Sequence, residues 1–269
     1  MSNFVSQCKV SMKSFLRFLE FRTEYFRAVL RKFRPDDLYS DKGTGNLHIL
    51  VMGKKDYARM GIFSLITFER HHKNFHFIIH CDFASHSYMS KYSWLLPKSV
   101  TYCVCILDSQ DPYRTQLEIF SLIQGTRDIL ADVDIWWRGP LRNLSGPLTY
   151  NTETFKRSDE LMALGRKLLK SRLELDDAAT PMITGCVTYW GGQFSKFHKN
   201  EILSSYDYLR NHHYFILSTN ETEWQLTGQI IMSLVFSSLD NYESVVAHEV
   251  SQQSVILESS WYRTSRKRY

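Results

Sequence analysis

The sequence has few of the features that mark secreted, membrane-spanning or nucleic-acid-binding proteins. Its five cysteines are odd in number and form no C-x-x-C pair, which argues against a disulfide framework and a structural zinc site. No stretch approaches the ~18 uncharged apolar residues of a membrane span, and the N-terminus lacks the apolar core of a signal peptide. These absences predict a cytoplasmic protein. The net charge of +5 is too small to argue for nucleic acid as a partner.

Two common nucleotide-binding loops are also missing. Neither G-x-G-x-x-G nor G-K-[ST] occurs, so the usual dinucleotide fingerprint and the P-loop are not supported. At 269 residues, with 43% hydrophobic and 14% aromatic residues, the chain is long enough for a sizeable core. We predict an amphipathic helix and linker over residues 1–46, a main domain over 47–260 and a basic tail over 261–269.

The first segment, residues 5–34, has the pattern of an amphipathic helix. Its apolar face carries Cys8, Met12, Phe15, Phe18, Leu19, Phe26, Val29, Leu30 and Phe33. The other side carries Lys9, Lys13, Arg17, Arg27 and Arg31, with Glu20 and Glu24 among them, and Arg22 falls within the apolar face. Such a helix fits the surface of an anionic membrane, which would make the protein peripheral there. The alternative is that it packs on the main domain or on a second subunit of a homo-oligomer.

The main domain begins with alternating strands and helices. Apolar runs predict strands at 47–52, 75–81, 100–107 and 129–131. Helical patterns lie between them at 57–71 and from Pro112, whose missing N–H costs nothing at the first helical position. This alternation predicts an α/β fold with a mainly parallel sheet, flanked by helices and joined by right-handed crossovers.

Two aspartates end the fourth strand. Asp132 and Asp134 are separated by one residue and follow the apolar run 129–131. In open α/β sheets, ligands bind at the carboxyl ends of strands. Carboxylate oxygens suit Mg²⁺ or Mn²⁺, which normally complete their shell with substrate phosphates. The pair therefore indicates a metal–diphosphate site, although D-x-D is short and acidic turns close many strands.

This order of elements resembles the GT-A glycosyltransferases, including families that build bacterial surface sugars. The resemblance rests on the first strand with Gly53, on the second strand ending at Asp82, and on Pro112-Tyr113-Arg114 followed by a helix, a strand and Asp132-Val133-Asp134. It covers roughly residues 47–257 and implies a GT-A-like catalytic domain. The chain departs from the pattern in the bulky residues Val133, Ile135, Trp136 and Trp137 around the acids.

The resemblance implies roles for several residues. Gly53 stands where those enzymes hold the nucleotide base, and Asp82 where an acid contacts base or ribose. Arg114 would pair with the diphosphate, or alternatively with Asp111 three residues earlier. Gly191 and Gly192 resemble an element that lines the donor sugar, where glycine lets the backbone approach a ligand; the alternative is an ordinary turn.

Acids and a histidine late in the chain complete the implied site. Glu223, or Glu221 in its place, would face the acceptor hydroxyl at the start of a helix. The alternative for Glu223 is a capping box with Asn220. His248 would be a third metal ligand beside Asp132 and Asp134, although a lone strand histidine is more often structural.

The resulting prediction is a metal-dependent glycosyltransferase with Mn²⁺ or Mg²⁺ as cofactor. It would move a sugar from a UDP- or GDP-sugar to a hydroxyl of a glycan or a lipid-linked acceptor. Trp136 and Trp137 would stack on a sugar or base, or belong to the core. The alternatives are a nucleotidyltransferase, which also uses a D-x-D metal pair, and a non-catalytic nucleotide- or glycan-binding relative.

Overall fold

The fold was obtained as a computed structural model. The structure describes residues 44–53, 55–104, 111–123, 128–137, 148–151, 158–175, 187–189, 199–211, 221–237, 243–246 and 254–256, together with six helical residues between positions 22 and 30.

Strands and helices alternate through the first half of the domain. The strands are β1 (Gly45–Val51), β2 (Phe75–Cys81), β3 (Val100–Val104), β4 (Ile129–Ala131), β5 (Ile135–Trp137), β6 (Leu148–Asn151), β7 (Val187–Tyr189), β8 (Glu243–Val246) and β9 (Ser254–Ile256). The helices are α1 (Lys55–Glu69), α2 (Phe83–Ser90), α3 (Pro112–Leu122), α4 (Ser158–Leu169), α5 (Lys199–Asn211) and α6 (Glu221–Ser237), with a 3₁₀ turn at Ser93–Leu95.

Seven strands form one sheet in the order β3-β2-β1-β4-β7-β6-β8. The four strands β3, β2, β1 and β4 are all parallel. Strand β7 is antiparallel to both of its neighbours, and β8 is parallel to β6. The carboxyl ends of every strand except β7 therefore lie at one edge of this sheet. The predicted fold class, a mainly parallel sheet flanked by helices, is confirmed.

Two hydrophobic cores cover the two faces of the sheet. The first core joins the face of β1 that carries Leu47, Ile49 and Val51 to buried residues of α1 and to Trp137. The second core joins Leu130 of β4 to buried residues of α3, α4, α5 and α6. Alternate residues of a strand point to opposite faces, so Ala131 belongs to the first core and Leu130 to the second. The sheet is thus the middle of three layers.

Most predicted elements of the first half are confirmed, and the exceptions have physical reasons. The apolar pattern after Ser158 predicts a helix that ends near Asp176, but α4 ends at Leu169. The chain then turns so that Leu173 and Leu175 reach the second core. Helices α2 and α5 and the pair β5–β9 were not predicted. The expected extension of β3 beyond Val104 lies outside the described residues.

The N-terminal segment is helical at the positions that the structure describes, residues 22, 23, 26, 27, 29 and 30. Val29 packs against the first core, while Phe26 and Leu30 are 62% and 50% exposed. This part of the helix therefore lies on the main domain and keeps two apolar side chains, one turn apart, at the surface. Contact with a membrane or a second subunit stays a prediction. Among the described residues, no helix is both long and apolar enough to cross a bilayer.

Candidate functional site

Strands β1 and β2 are neighbours in the sheet, and a hydrogen bond joins two residues that follow their carboxyl ends. The backbone N–H of Gly53 donates to Oδ2 of Asp82 at 2.7 Å. Gly53 has φ of +89°, which L side chains rarely adopt, and a Cβ built there would meet open space. A ligand at this edge could therefore approach the backbone of Gly53 closely.

Asp82 also begins the next helix. It is the N-cap of α2, and its Oδ1 accepts a hydrogen bond from the backbone N–H of Ser85 at 2.6 Å. Burial alone would raise the pKa of Asp82, but the N–H groups of Ser85, Gly53 and Ala84 donate to the carboxylate and hold the pKa below its usual range. Asp82 is therefore a charged group that fixes the ends of β1 and β2; its contact with a nucleotide stays a prediction.

The two aspartates of D-x-D lie in the turn between β4 and β5. Asp132 and Asp134 are half-buried, and Val133 between them packs against the first core. A Cβ on Gly61 of α1 would come within 3.2 Å of Val133, so this glycine lets the helix lie close behind the turn. Residue pairing places Ile135 opposite Ile256, so β9 ends beside Asp134.

Asp132 is bound by a residue that the sequence did not single out. The amide Nε2 of Gln116 on α3 donates to Oδ1 of Asp132 at 2.8 Å. Asp132 lies two residues after Leu130 and thus on the side of the sheet that faces α3. Helix α3 therefore meets the D-x-D turn directly.

The alternative considered for Arg114, a side-chain pair with Asp111, is wrong. The guanidinium of Arg114 forms two hydrogen bonds with Asp207 of α5, Nε to Oδ1 at 2.9 Å and Nη2 to Oδ2 at 3.1 Å. The carboxylate of Asp207 raises the pKa of Arg114. Asp111 instead caps α3 by accepting from the backbone N–H of Arg114. The Asp207 contact uses Nε and Nη2 of the guanidinium, and a diphosphate contact of Arg114 stays a prediction.

Asp111 and its partners form a buried contact between α3 and α5. The carboxylate accepts from the hydroxyl of Tyr206 at 3.1 and 3.2 Å and from Nη1 of Arg210 at 2.6 Å. Burial and the charge of Asp111 raise the pKa of Tyr206, which therefore stays a neutral donor. Further along α3, Glu118 forms an ion pair with Lys199. These contacts hold α3 in place against α5.

The donor set at the D-x-D turn fits a hard divalent cation. Mg²⁺ is usually held by one or two carboxylates plus substrate phosphates and waters, rather than by a closed protein cage. Asp132 and Asp134 supply two carboxylates, and no group of three potential metal ligands occurs within the part of the chain that the structure describes. Binding of a cation or of a diphosphate at this turn stays a prediction.

The remaining predicted site residues are only partly described. Glu221 and Glu223 lie in the first turn of α6, where a helix was predicted, but their side chains are outside the described part. Strand β8 ends at the same edge as β4, and His248, two residues beyond it, is also outside. Gly191 and Gly192 follow β7, whose last residue Tyr189 pairs with Ile129 at the opposite edge. Both glycines lie outside the described residues, and their donor-sugar role stays a prediction.

Comparison with known proteins does not establish a family or an activity for this chain. No family model matches the chain. No curated protein matches it. The chain matches 175 chains of solved structures. One of them is the crystal structure of the glycosyltransferase GlyE in Streptococcus pneumoniae TIGR4, with a TM-score of 0.45 and 14% identity. The match covers 76% of this chain but only 45% of that chain, and similarity at this level says nothing about activity.

Trp137, which was considered for stacking on a sugar, belongs to the first core. It is 1% exposed, and its Nε1 donates to the hydroxyl of Ser64 at 3.0 Å. Its edge-to-face contact with Phe68 fixes α1 against β5. Trp137 is thus excluded from ligand contact. The side chain of Trp136 is outside the described part of the chain.

A buried polar network, not predicted from the sequence, lies on the face of the sheet that carries the second core. Nδ1 of His48 is 3.0 Å from Nε2 of His80, and Nε2 of His48 is 3.1 Å from Oδ2 of Asp128. Nδ2 of Asn46 donates to the other oxygen of Asp128 at 2.6 Å. Burial, followed by the neighbouring His48, lowers the pKa of His80 to about 4. With this lowered pKa, His80 is neutral at pH 7, and only one proton fits between the two facing ring nitrogens.

Proposed function

We propose that the protein is a metal-dependent glycosyltransferase that moves a sugar from a nucleotide diphosphate sugar to a hydroxyl of a glycan or lipid-linked acceptor. The observation that supports this proposal is the position of Asp132 and Asp134 at the carboxyl edge of a mainly parallel sheet. Gly53 and Asp82 lie at the same edge, one and two strands away from β4. Ligands bind at this edge in open α/β sheets.

The side chains at this site would have different roles. Asp132 and Asp134 would hold Mn²⁺ or Mg²⁺, which acts as a Lewis acid on a bound diphosphate. The open backbone at Gly53, held by Asp82, would accept the nucleotide base or ribose. A glutamate of the first turn of α6, Glu223 or Glu221, would face the acceptor and take a proton from its hydroxyl or stabilise positive charge on the sugar.

The test is hydrolysis of a panel of UDP- and GDP-sugars, in which water takes the sugar in place of the acceptor and nucleoside diphosphate is released, with and without Mn²⁺. We expect metal-dependent release, reduced at least about 100-fold by Asp134→Asn, because a Lewis-acid metal supplies several kcal/mol of transition-state stabilisation. Glu160→Gln, which changes an exposed acid on α4, is the matched control and should release nucleotide at the wild-type rate.

The alternatives differ in the substrates that they would turn over. A nucleotidyltransferase would release pyrophosphate from a nucleoside triphosphate and a sugar phosphate, and would leave nucleotide sugars intact. A non-catalytic relative would bind a nucleotide sugar without turning it over. Metal-independent release that Asp134→Asn leaves unchanged would contradict the assignment of the D-x-D pair.

A further inference from the structure

Gln116 is placed to act on the D-x-D turn without belonging to it. Its amide nitrogen is 2.8 Å from Oδ1 of Asp132, and both side chains are half-buried. An amide NH₂ group only donates hydrogen bonds and an ionised carboxylate only accepts them, so this contact suits the charged form of Asp132 and helps to orient its carboxylate. The metal-binding residues of proteins are commonly oriented by such outer partners.

The helix that carries Gln116 is itself held firmly. Asp111, Arg114 and Glu118 lie three and four residues apart on one side of α3, and all three bind residues of α5. Gln116 is two residues from both Arg114 and Glu118, and therefore lies on the other side of the helix. Contacts with α5 on one side thus fix the position from which Gln116 reaches Asp132.

We propose that Gln116 is a positioning residue of the metal site, which holds Asp132 in the orientation needed to bind the cation. This inference rests on the proposed function, because it takes Asp132 as a metal ligand. Gln116 does not contact the cation. Removing an outer partner of a metal ligand typically weakens metal affinity or activity 10- to 100-fold.

The experiment is titration of Mn²⁺ into the full chain in the presence of UDP or GDP, with free Mn²⁺ measured by electron paramagnetic resonance. Gln116→Leu keeps much of the side-chain length and removes the donor. We expect it to raise the Kd for Mn²⁺ about 10- to 100-fold, while the thermal unfolding midpoint shows that the variant is folded. Gln116→Ala, which removes the donor without adding an apolar branch, should weaken Mn²⁺ binding similarly and guards against a folding defect of the leucine variant.

The control is Glu118→Gln on the same helix. It breaks the ion pair with Lys199 but does not touch the bond to Asp132, so a general loosening of α3 would appear in this variant too. Wild-type Mn²⁺ affinity in Glu118→Gln together with weakened affinity in Gln116→Leu supports the inference. Equal weakening in both variants overturns it.

Different experimental results would overturn this inference and the proposed function. If Asp132→Asn abolishes Mn²⁺ binding while Gln116→Leu and Gln116→Ala bind as the wild type does, Gln116 has no positioning role but the metal site stands. If the wild-type protein binds no Mn²⁺ with either nucleotide, the proposed function and the inference are both overturned.

Discussion

Replacing Asp111 with alanine is expected to lower the free energy of unfolding by about 3 kcal/mol. The change removes the N-cap of α3, which typically costs ~1 kcal/mol. It also leaves the buried hydroxyl of Tyr206 without its acceptor, at ~1–3 kcal/mol. Arg210 loses its partner as well, but its side chain is 40% exposed and can turn to water, so the full cost of an unpaired buried charge does not apply.

Denaturant unfolding of Asp111→Ala beside Asp207→Ala tests this expectation. Both aspartates bind an arginine between α3 and α5, but the side chain of Asp207 is 44% exposed and that of Asp111 is 9% exposed. Exposed ion pairs are worth ~0–1 kcal/mol, so Asp207→Ala should have a small effect. Equal losses of stability in the two variants would contradict the role assigned to burial.

The second large effect is a dependence of stability on pH that comes from His80. Its pKa is about 4 in the folded protein and close to 6.5 in the unfolded chain, so between these values the unfolded chain binds more protons. The contribution is present in full above pH 6.5 and is lost as the pH falls towards 4. At 1.36 kcal/mol per pKa unit, the loss between pH 7 and pH 4 is about 3 kcal/mol.

Unfolding free energies of the wild type and of His80→Gln should be compared between pH 7 and pH 4. Glutamine retains an N–H donor for His48 but does not titrate, so the variant should lose less stability in acid. His76→Gln is the matched control, because His76 lies on the same strand and bonds to Thr101 outside the buried network. Parallel pH curves for the wild type and His80→Gln would show that His80 does not contribute.

The sequence predicted the first half of the domain well, for a physical reason. Strands β1, β2 and β4 are short apolar runs buried by helices on both faces, and α1 and α3 carry apolar residues at helical spacing. In these elements, the hydrophobic pattern of the sequence agrees with the burial of the side chains in the structure. Pro112 at the first turn of α3 and the cap at Asp111 add boundaries that the sequence shows directly.

The missed elements depend on contacts that local pattern does not show. Helix α2 has weak apolar periodicity, and its start depends on the cap from Asp82. Helix α5 is largely polar, but its buried residues Ile202, Tyr206 and Leu209 recur at helical spacing. This pattern is visible in the sequence and could have predicted the helix. Strands β5 and β9 lie more than a hundred residues apart in the sequence, so their pairing depends on the tertiary fold and no local pattern predicts it.

The sequence identified several residues of the candidate site but not the contacts that they make. The acids at the ends of β2 and β4 could be found because strand ends define them. The partners of Arg114 and Asp132 could not, because Asp207 and Gln116 lie on helices whose packing decides which side chains meet. The contact between His48 and His80 could not be predicted because it depends on the register of β1 against β2. That register places Leu50 opposite His80, so both histidines lie on one face of the sheet.

The most direct test of a metal–diphosphate site at the D-x-D turn is calorimetric titration of UDP and GDP into the protein, with and without Mn²⁺. The account predicts that one of the two nucleotides binds only with Mn²⁺, that Asp134→Asn abolishes this binding, and that Glu160→Gln leaves it unchanged. Absence of binding by either nucleotide, or binding that survives Asp134→Asn unaltered, would contradict it.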